Sequence, residues 1–159
     1  MNCETVKEML WAYLEQEALG VDFDSRGLQF PETLLGDAEK QWLSLLRTGA
    51  LAEPDPMAEP LGYQIGDHWA ERLKASGENW YSTYQLGVYY AYKGDVDTAA
   101  VYWKKSAELQ KNPWALRCLG ILEKLAGHAD TAADLLVEAV MLVPEVHIAM
   151  EAMNLLKDA

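Results

Sequence analysis

The feature that most constrains the fold is a spacing of 33 residues that recurs in the second half of the 159-residue chain. Identical residues stand at this spacing: Leu86-Gly87 and Leu119-Gly120, Gly94 and Gly127, and Ala99 and Ala132. Self-similarity at a period of this length is typical of stacked helical hairpins, each of which buries its apolar face against the next. Because such arrays usually present a surface to other macromolecules, the spacing favours binding over catalysis.

Helical patterns fill each period between turn residues. The sequence predicts helices at 80–93, 96–110, 114–126 and 129–143, and a capping helix at 145–157. Gly94, Gly127 and Pro144 stand where three of these helices should end, and Asp95 stands where a helix N-cap is expected. Small residues suit positions where helices cross closely, and bulky residues fill the gaps between hairpins. Two sets of such residues stand 33 positions apart: Gly87, Ala99 and Trp103, then Gly120, Ala132 and Leu136.

The first half of the chain has no such repeat. Apolar residues at helical spacing predict helices at 4–17 and 37–47, the second capped by Asp37, with an ordered loop at 20–33. Prolines 54, 56 and 60 interrupt any helix and predict a connector over residues 50–66, followed by a short helix at 67–75. We therefore divide the chain into an N-terminal helical segment, 1–66, and a repeat domain, 67–159.

The repeated residues resemble the tetratricopeptide repeat. The first unit, 80–111, carries that pattern at Leu86, Gly87, Tyr90, Gly94, Ala99 and Trp103; the second, 113–144, carries it at Leu119, Gly120, Gly127, Ala132, Leu136, Ala139 and Pro144. Ser106, Lys111 and Glu123 depart from it. The resemblance implies an all-α fold in which antiparallel helix hairpins stack as a right-handed superhelix. The helical patterns in the first half of the chain predict two or three extra helices before it.

The same resemblance implies a concave face built from the first helix of each unit. Seven residues of that face are the candidate binding residues: Tyr81, Tyr84, Val88, Tyr92, Trp114, Arg117 and Lys124. One subclass of the family binds a C-terminal carboxylate through Lys and Asn, but Tyr84 and Val88 stand at those positions. The aromatic and cationic residues that remain suit an extended peptide or a stacked sugar. In the other interpretation, the N-terminal helices or a neighbouring domain fill the face.

A second resemblance is to large bacterial proteins that carry a mutarotase-like β-sandwich before tetratricopeptide-like helices and are associated with carbohydrate. It rests on residues 80–87 and 113–117, on Phe30-Pro31-Glu32 and on Leu35-Gly36. This resemblance implies that the chain is a helical accessory part of a longer carbohydrate-active protein. The length of the parent reading frame tests this hypothesis, because a frame of about 159 residues would contradict it and favour an independent module.

Composition and motifs exclude several function classes. The net charge of −12 repels phosphate backbones, so we expect no nucleic acid partner, and no apolar run reaches the length of a membrane span. Cys3 and Cys118 lack metal-ligand spacing and predict free thiols in a reducing, cytoplasmic compartment. Asp22 and Asp24 begin a calcium-type loop, but a cation and a threonine replace later ligands.

The sequence shows no catalytic triad, phosphate loop or metal-binding cysteine pair, so we expect no catalytic residue, no cofactor and no metal. The predicted function is a non-catalytic interaction module that binds a peptide, a protein or another domain of its parent chain, with carbohydrate as the alternative ligand.

Overall fold

The computed structural model describes residues 35–144, together with residues 149, 150, 152 and 154. This part of the chain is all-helical and contains no strand. Its six main helices are α1 (Asp37–Thr48), α2 (Asp67–Ala75), α3 (Trp80–Tyr92), α4 (Val96–Leu109), α5 (Pro113–Leu125) and α6 (Ala129–Leu142). The predicted helix at 4–17, the loop at 20–33 with its calcium-like pattern, and most of the predicted helix at 145–157 lie outside the described residues.

The all-α class of the prediction is confirmed, and the six helices begin and end within one residue of their predicted bounds. The cap of α1 was wrong. Gly36, in extended conformation, is the N-cap residue, and Asp37 is the first helical residue without a side-chain capping bond. Asp37 and Glu39 instead place negative charge in the first turn, where the helix dipole favours it.

Two helix hairpins, α3–α4 and α5–α6, form the repeat units, and each turns at a glycine. Gly94 and Gly127 have φ angles of 82° and 85°, which favour glycine because other residues carry a Cβ. The next N–H in each turn, from Asp95 and from His128, donates back to the carbonyl five residues earlier, at 3.0 and 2.9 Å. These hydrogen bonds satisfy carbonyl groups at the helix end, and the turn lets the next helix run antiparallel to the first.

The close crossings predicted within each unit are present. A Cβ added at Gly87 would lie 2.3 Å from Nε1 of Trp103, and one at Gly120 would lie 2.8 Å from Cγ of Leu136. The Trp103 indole N–H also donates to the Tyr84 carbonyl at 3.2 Å. In each 33-residue unit, a glycine on the first helix therefore lies directly against a bulky side chain on the second helix.

A further pair at the same spacing escaped the sequence analysis. Asn79 and Asn112 are the N-cap residues of α3 and α5, and their Oδ1 atoms accept from the N–H groups of Ser82 and Ala115 at 2.7 and 2.9 Å. Asn112 is fully buried. Its Nδ2 donates to Ser106 Oγ at 3.2 Å and to the Gln110 carbonyl at 2.9 Å. The cap thus links the end of one unit to the start of the next.

Replacing Asn112 with alanine is expected to cost about 2–3 kcal/mol, because a helix cap is lost and Ser106 loses a buried partner. Asn79→Ala is the matched variant in the first unit, where a cap and the Nδ2 hydrogen bond to the Leu51 carbonyl are lost. Asn79 is only partly buried, so water can replace these bonds, and we expect about half the cost there. Urea denaturation measures both. Equal costs at the two caps would contradict the assignment of Asn112 to a buried linking role.

One apolar core extends across the repeats and the helices before them. It contains Trp42 of α1, Trp69 of α2, Trp80 of α3, Trp114 of α5 and Ala139 of α6. Trp42 and Trp69 meet edge to face, with ring centroids 5.4 Å apart. The domain boundary at residue 67 stays a prediction, but the described residues on its two sides pack into the same core.

Polar contacts at the surface hold α2 against the end of α3. Lys93 Nζ lies 2.6 Å from Asp67 Oδ1, and the Tyr89 hydroxyl donates to the same oxygen at 3.0 Å. These hydrogen bonds, from Lys93 above all, lower the pKa of Asp67. These contacts join the start of α2 to the C-terminal end of α3, the first helix of the repeats.

Candidate functional site

The connector, residues 50–66, lies on the face formed by the first helices of the two units. Three side chains on that face or at its edge donate hydrogen bonds to main-chain carbonyls of the connector: Asn79 Nδ2 to Leu51 (2.8 Å), Gln85 Nε2 to Gly62 (2.7 Å) and Trp114 Nε1 to Pro56 (3.1 Å). The backbone N–H of Trp80 donates to Glu53 Oε1 at 3.3 Å. The face therefore binds an irregular segment of its own chain.

The candidate residues nearest the helix starts are covered. Tyr81 is fully buried, and its hydroxyl donates to Gln41 Oε1 of α1 at 2.9 Å. Burial raises the pKa of Tyr81, although hydrogen bonds with Gln85, Gln41 and the Leu61 backbone act in the opposite direction. Trp114 is only 4% exposed. Neither ring is open to a ligand while α1 and the connector stay in place.

A small cleft opens where the connector leaves the face. Tyr84, Trp114 and Arg117 form one side of it, and the connector forms the other with Glu59, Pro60, Gly62 and Tyr63; its volume is about 160 Å³. The Tyr84 ring is half-buried and stacks on Tyr81 with an interplanar angle of 8°. Burial raises the pKa of Tyr84 and outweighs the lowering effect of the Arg117 charge. Tyr84 is therefore a neutral hydroxyl at physiological pH.

The other candidate residues lie toward the ends of α3 and α5, where the face is less covered. Val88 is half-buried, whereas Tyr92 is 64% exposed and Lys124 is exposed. The structure thus divides the seven candidates into three groups: Tyr81 is covered, Tyr84, Arg117 and the largely buried Trp114 line the cleft, and Val88, Tyr92 and Lys124 lie beyond it.

The residues that hold the connector were not predicted from the sequence. Gln85 and Asn79 are polar residues within or before α3 and have no place in the tetratricopeptide pattern. Asn79 carried a signal, because it repeats at Asn112. Gln85 shows no such repetition, and its fully buried side chain donates to a carbonyl 23 residues earlier in the chain, which no local pattern predicts. The connector prolines indicated a break in the helices but not the surface on which the break would lie.

The described residues carry neither a metal-binding cluster nor a membrane-spanning helix. Among them, no group of three or more His, Cys, Asp or Glu side chains is placed to hold a metal ion. His128 instead pairs with Glu123, with Nδ1 2.7 Å from Oε2. None of the helices in this part of the chain has both the length and the apolar character needed to cross a membrane.

No protein-family model matches the sequence, and no curated protein matches it either. The function is therefore inferred from the geometry of the face and from the chemistry of its residues.

Proposed function

We propose that this protein is a non-catalytic interaction module of tetratricopeptide-like type, whose first-helix face binds a peptide or a neighbouring protein domain. One observation carries the proposal: the face already holds a segment without regular structure, through hydrogen bonds to three main-chain carbonyls. Carbonyls are present in every polypeptide. A face that recognises them is suited to binding protein chains.

The strength of this binding mode follows from the number and setting of the contacts. Each hydrogen bond contributes about 0.5–1.5 kcal/mol, and buried aromatic rings beside them add apolar contact area. Trp114 supplies both, because its indole N–H binds Pro56 and its ring is part of the apolar core. Tryptophan and tyrosine in such positions commonly dominate the energetics of protein interfaces.

The less covered part of the face provides the site for a partner. Tyr92 and Lys124 are exposed there, next to the half-buried Val88 and beyond the cleft at Tyr84 and Arg117. An aromatic ring and two cations complement a polypeptide with apolar and acidic side chains. The net charge of −12 supports a protein rather than a nucleic acid as the partner.

The test is a peptide-binding assay on purified protein. Peptides selected from a random 12-residue display library are labelled and titrated by fluorescence anisotropy. We expect the double variant Tyr92→Ser, Lys124→Glu to weaken the Kd about tenfold, as loss of an exposed aromatic contact and reversal of a charge together would. Both residues are exposed, so stability should change by less than about 0.5 kcal/mol.

The matched control makes similar changes on α4, the second helix of the first unit. Val101 is 63% exposed and Lys104 is exposed, so Val101→Ser, Lys104→Glu alters apolar area and charge in the same directions. This control should leave the Kd within about twofold of the wild type. Failure to select any peptide, or equal weakening by the two double variants, would contradict the proposal.

The alternative, a helical accessory part of a larger bacterial carbohydrate-active protein, stays a prediction. A sugar-stacking site needs an open aromatic ring; Trp114 is 4% exposed beneath the connector, whereas Tyr92 is 64% exposed. Tyr84 and Arg117 meet in the cleft of about 160 Å³, but the connector occupies its opposite wall. The hydrogen bonds from Asn79, Gln85 and Trp114 to main-chain carbonyls favour the polypeptide ligand.

A further inference from the structure

The connector has the composition of a particular class of ligand. Its prolines, at 54, 56 and 60, alternate with the carboxylates of Glu53, Asp55 and Glu59, and it has no lysine or arginine between residues 50 and 66. It forms no helix or strand. A single turn interrupts it, where the Ala58 N–H donates to the Asp55 carbonyl at 3.0 Å. The face thus holds an acidic, proline-containing segment in an irregular conformation.

The direction of the hydrogen bonds matches this class. In the contacts of Asn79, Gln85 and Trp114, and in that of the Trp80 N–H, the donor lies on the repeats and the acceptor lies on the connector. Proline has no N–H, so segments rich in proline offer carbonyl acceptors with few competing donors. The Tyr81 hydroxyl is an exception, since the Leu61 backbone N–H of the connector donates to it. The other contacts present donors, and such a surface favours proline-containing segments over chains that need both groups paired.

The charges agree with the hydrogen bonds. Glu53 accepts at the start of α3, where the helix dipole favours a negative group. Glu59 and Arg117 line the same small cleft, and Lys124 lies farther along α5. Acidic residues of a bound segment at these positions would therefore lie near the start of α3, Arg117 and Lys124.

We propose that the partner of this face is an acidic, proline-containing extended segment, and that the part of the connector after the core residue Leu51 is a built-in competitor which the partner displaces. This inference rests on the proposed function and adds the ligand class and its regulation. The connector is joined at both ends to helices that pack in the same core, so its effective concentration at the face is on the order of millimolar. Only molecules in which the connector is released can bind the partner. The apparent Kd is therefore the Kd of the released form divided by the fraction of molecules in that form.

The experiment uses the full chain and a fluorescent peptide with the sequence of residues 50–66 as the probe. A released variant carries serine in place of the three prolines and glutamine in place of Glu53 and Glu59, which weakens the connector and leaves the repeat face unchanged. We expect the probe to bind the released variant at least tenfold more tightly than the wild type. A control peptide with the same substitutions should bind the released variant at least tenfold more weakly than the probe.

Limited proteolysis of the wild-type protein provides a second measurement that does not require the variant to fold. Saturating probe should accelerate cleavage of the full-length chain within residues 50–66, because a displaced connector is accessible to a protease, and should leave α3 and α5 uncut. Equal affinity of the probe for the wild type and the released variant, or unchanged connector cleavage at saturation, would overturn the inference.

The two proposals fail in different ways. If peptides from the random library bind through Tyr92 and Lys124 but the probe binds without displacing the connector, the interaction function stands and the competitor role is wrong. If no library peptide binds, the interaction function itself is wrong. A dimer detected by light scattering at the assay concentration, which dissociates when the probe is added, would mean that a second copy supplies the connector and would overturn the intramolecular assignment.

Discussion

Replacing Gly87 with alanine is expected to lower the free energy of unfolding by about 2 kcal/mol, even though alanine is the better helix former. The new Cβ would lie 2.3 Å from Nε1 and 2.4 Å from Cδ1 of Trp103. Trp103 is 5% exposed and its ring is rigid, so the indole has little room to move away. Any shift also disturbs its hydrogen bond to the Tyr84 carbonyl. Urea denaturation, with the m-value as a check on two-state behaviour, measures the loss.

Two control variants separate the steric clash from a general effect of removing glycine. Gly127 has a φ of 85° and no atom within 4 Å of an added Cβ, so Gly127→Ala should cost only about 1 kcal/mol of backbone strain. In a Trp103→Leu background, Gly87→Ala should cost less than in the wild type, because a leucine side chain can rotate aside. If Gly87→Ala matches or exceeds wild-type stability, the close crossing of α3 and α4 is wrong.

Trp69→Ala is expected to have the largest effect on stability, about 3–5 kcal/mol. Trp69 is fully buried in α2, a helix of only nine residues, and its ring meets Trp42 of α1. Removing the ring leaves a cavity at the point where the N-terminal helices contact the repeats. Domains of this size have total stabilities of about 5–15 kcal/mol, so the loss is a large fraction.

Trp69→Phe is the matched variant, since it keeps an aromatic ring against Trp42. The described part of the chain offers no hydrogen-bond acceptor to the Trp69 indole N–H, so phenylalanine removes an unsatisfied donor as well as some volume. We therefore expect less than half the cost of the alanine variant, measured by thermal and urea denaturation. Equal costs for the two variants would contradict the ring-to-ring contact as the source of stability.

Local rules explain why the two hairpins were predictable from the sequence. Gly94 and Gly127 end helices with a positive φ angle, which glycine adopts without strain. Asp95 caps α4 by accepting a hydrogen bond from a residue three positions later. The pairing of Gly87 with Trp103 spans 16 residues within one hairpin, and the second unit repeats it at Gly120 and Leu136. Repetition made these contacts visible, because the same packing requirement occurs twice in one sequence.

The candidate site was predictable only in part. The family pattern placed Tyr81, Tyr84 and Trp114 on one face, but it gave no indication of which would be covered. The contact of Trp114 with Pro56 spans 58 residues, and that of Tyr81 with Gln41 spans 40. Such pairs depend on how separate elements pack and not on any spacing along the chain.

The sequence by itself determined the helices, their ends and the small-to-bulky pairing within each unit, because these depend on backbone conformation and on contacts between residues close in the chain. Only the tertiary structure decided that the proline-containing connector lies on the first-helix face and accepts hydrogen bonds from Asn79, Gln85 and Trp114. A main-chain carbonyl has the same chemistry at every residue. Its partner is therefore set by which surface the folded chain brings beside it.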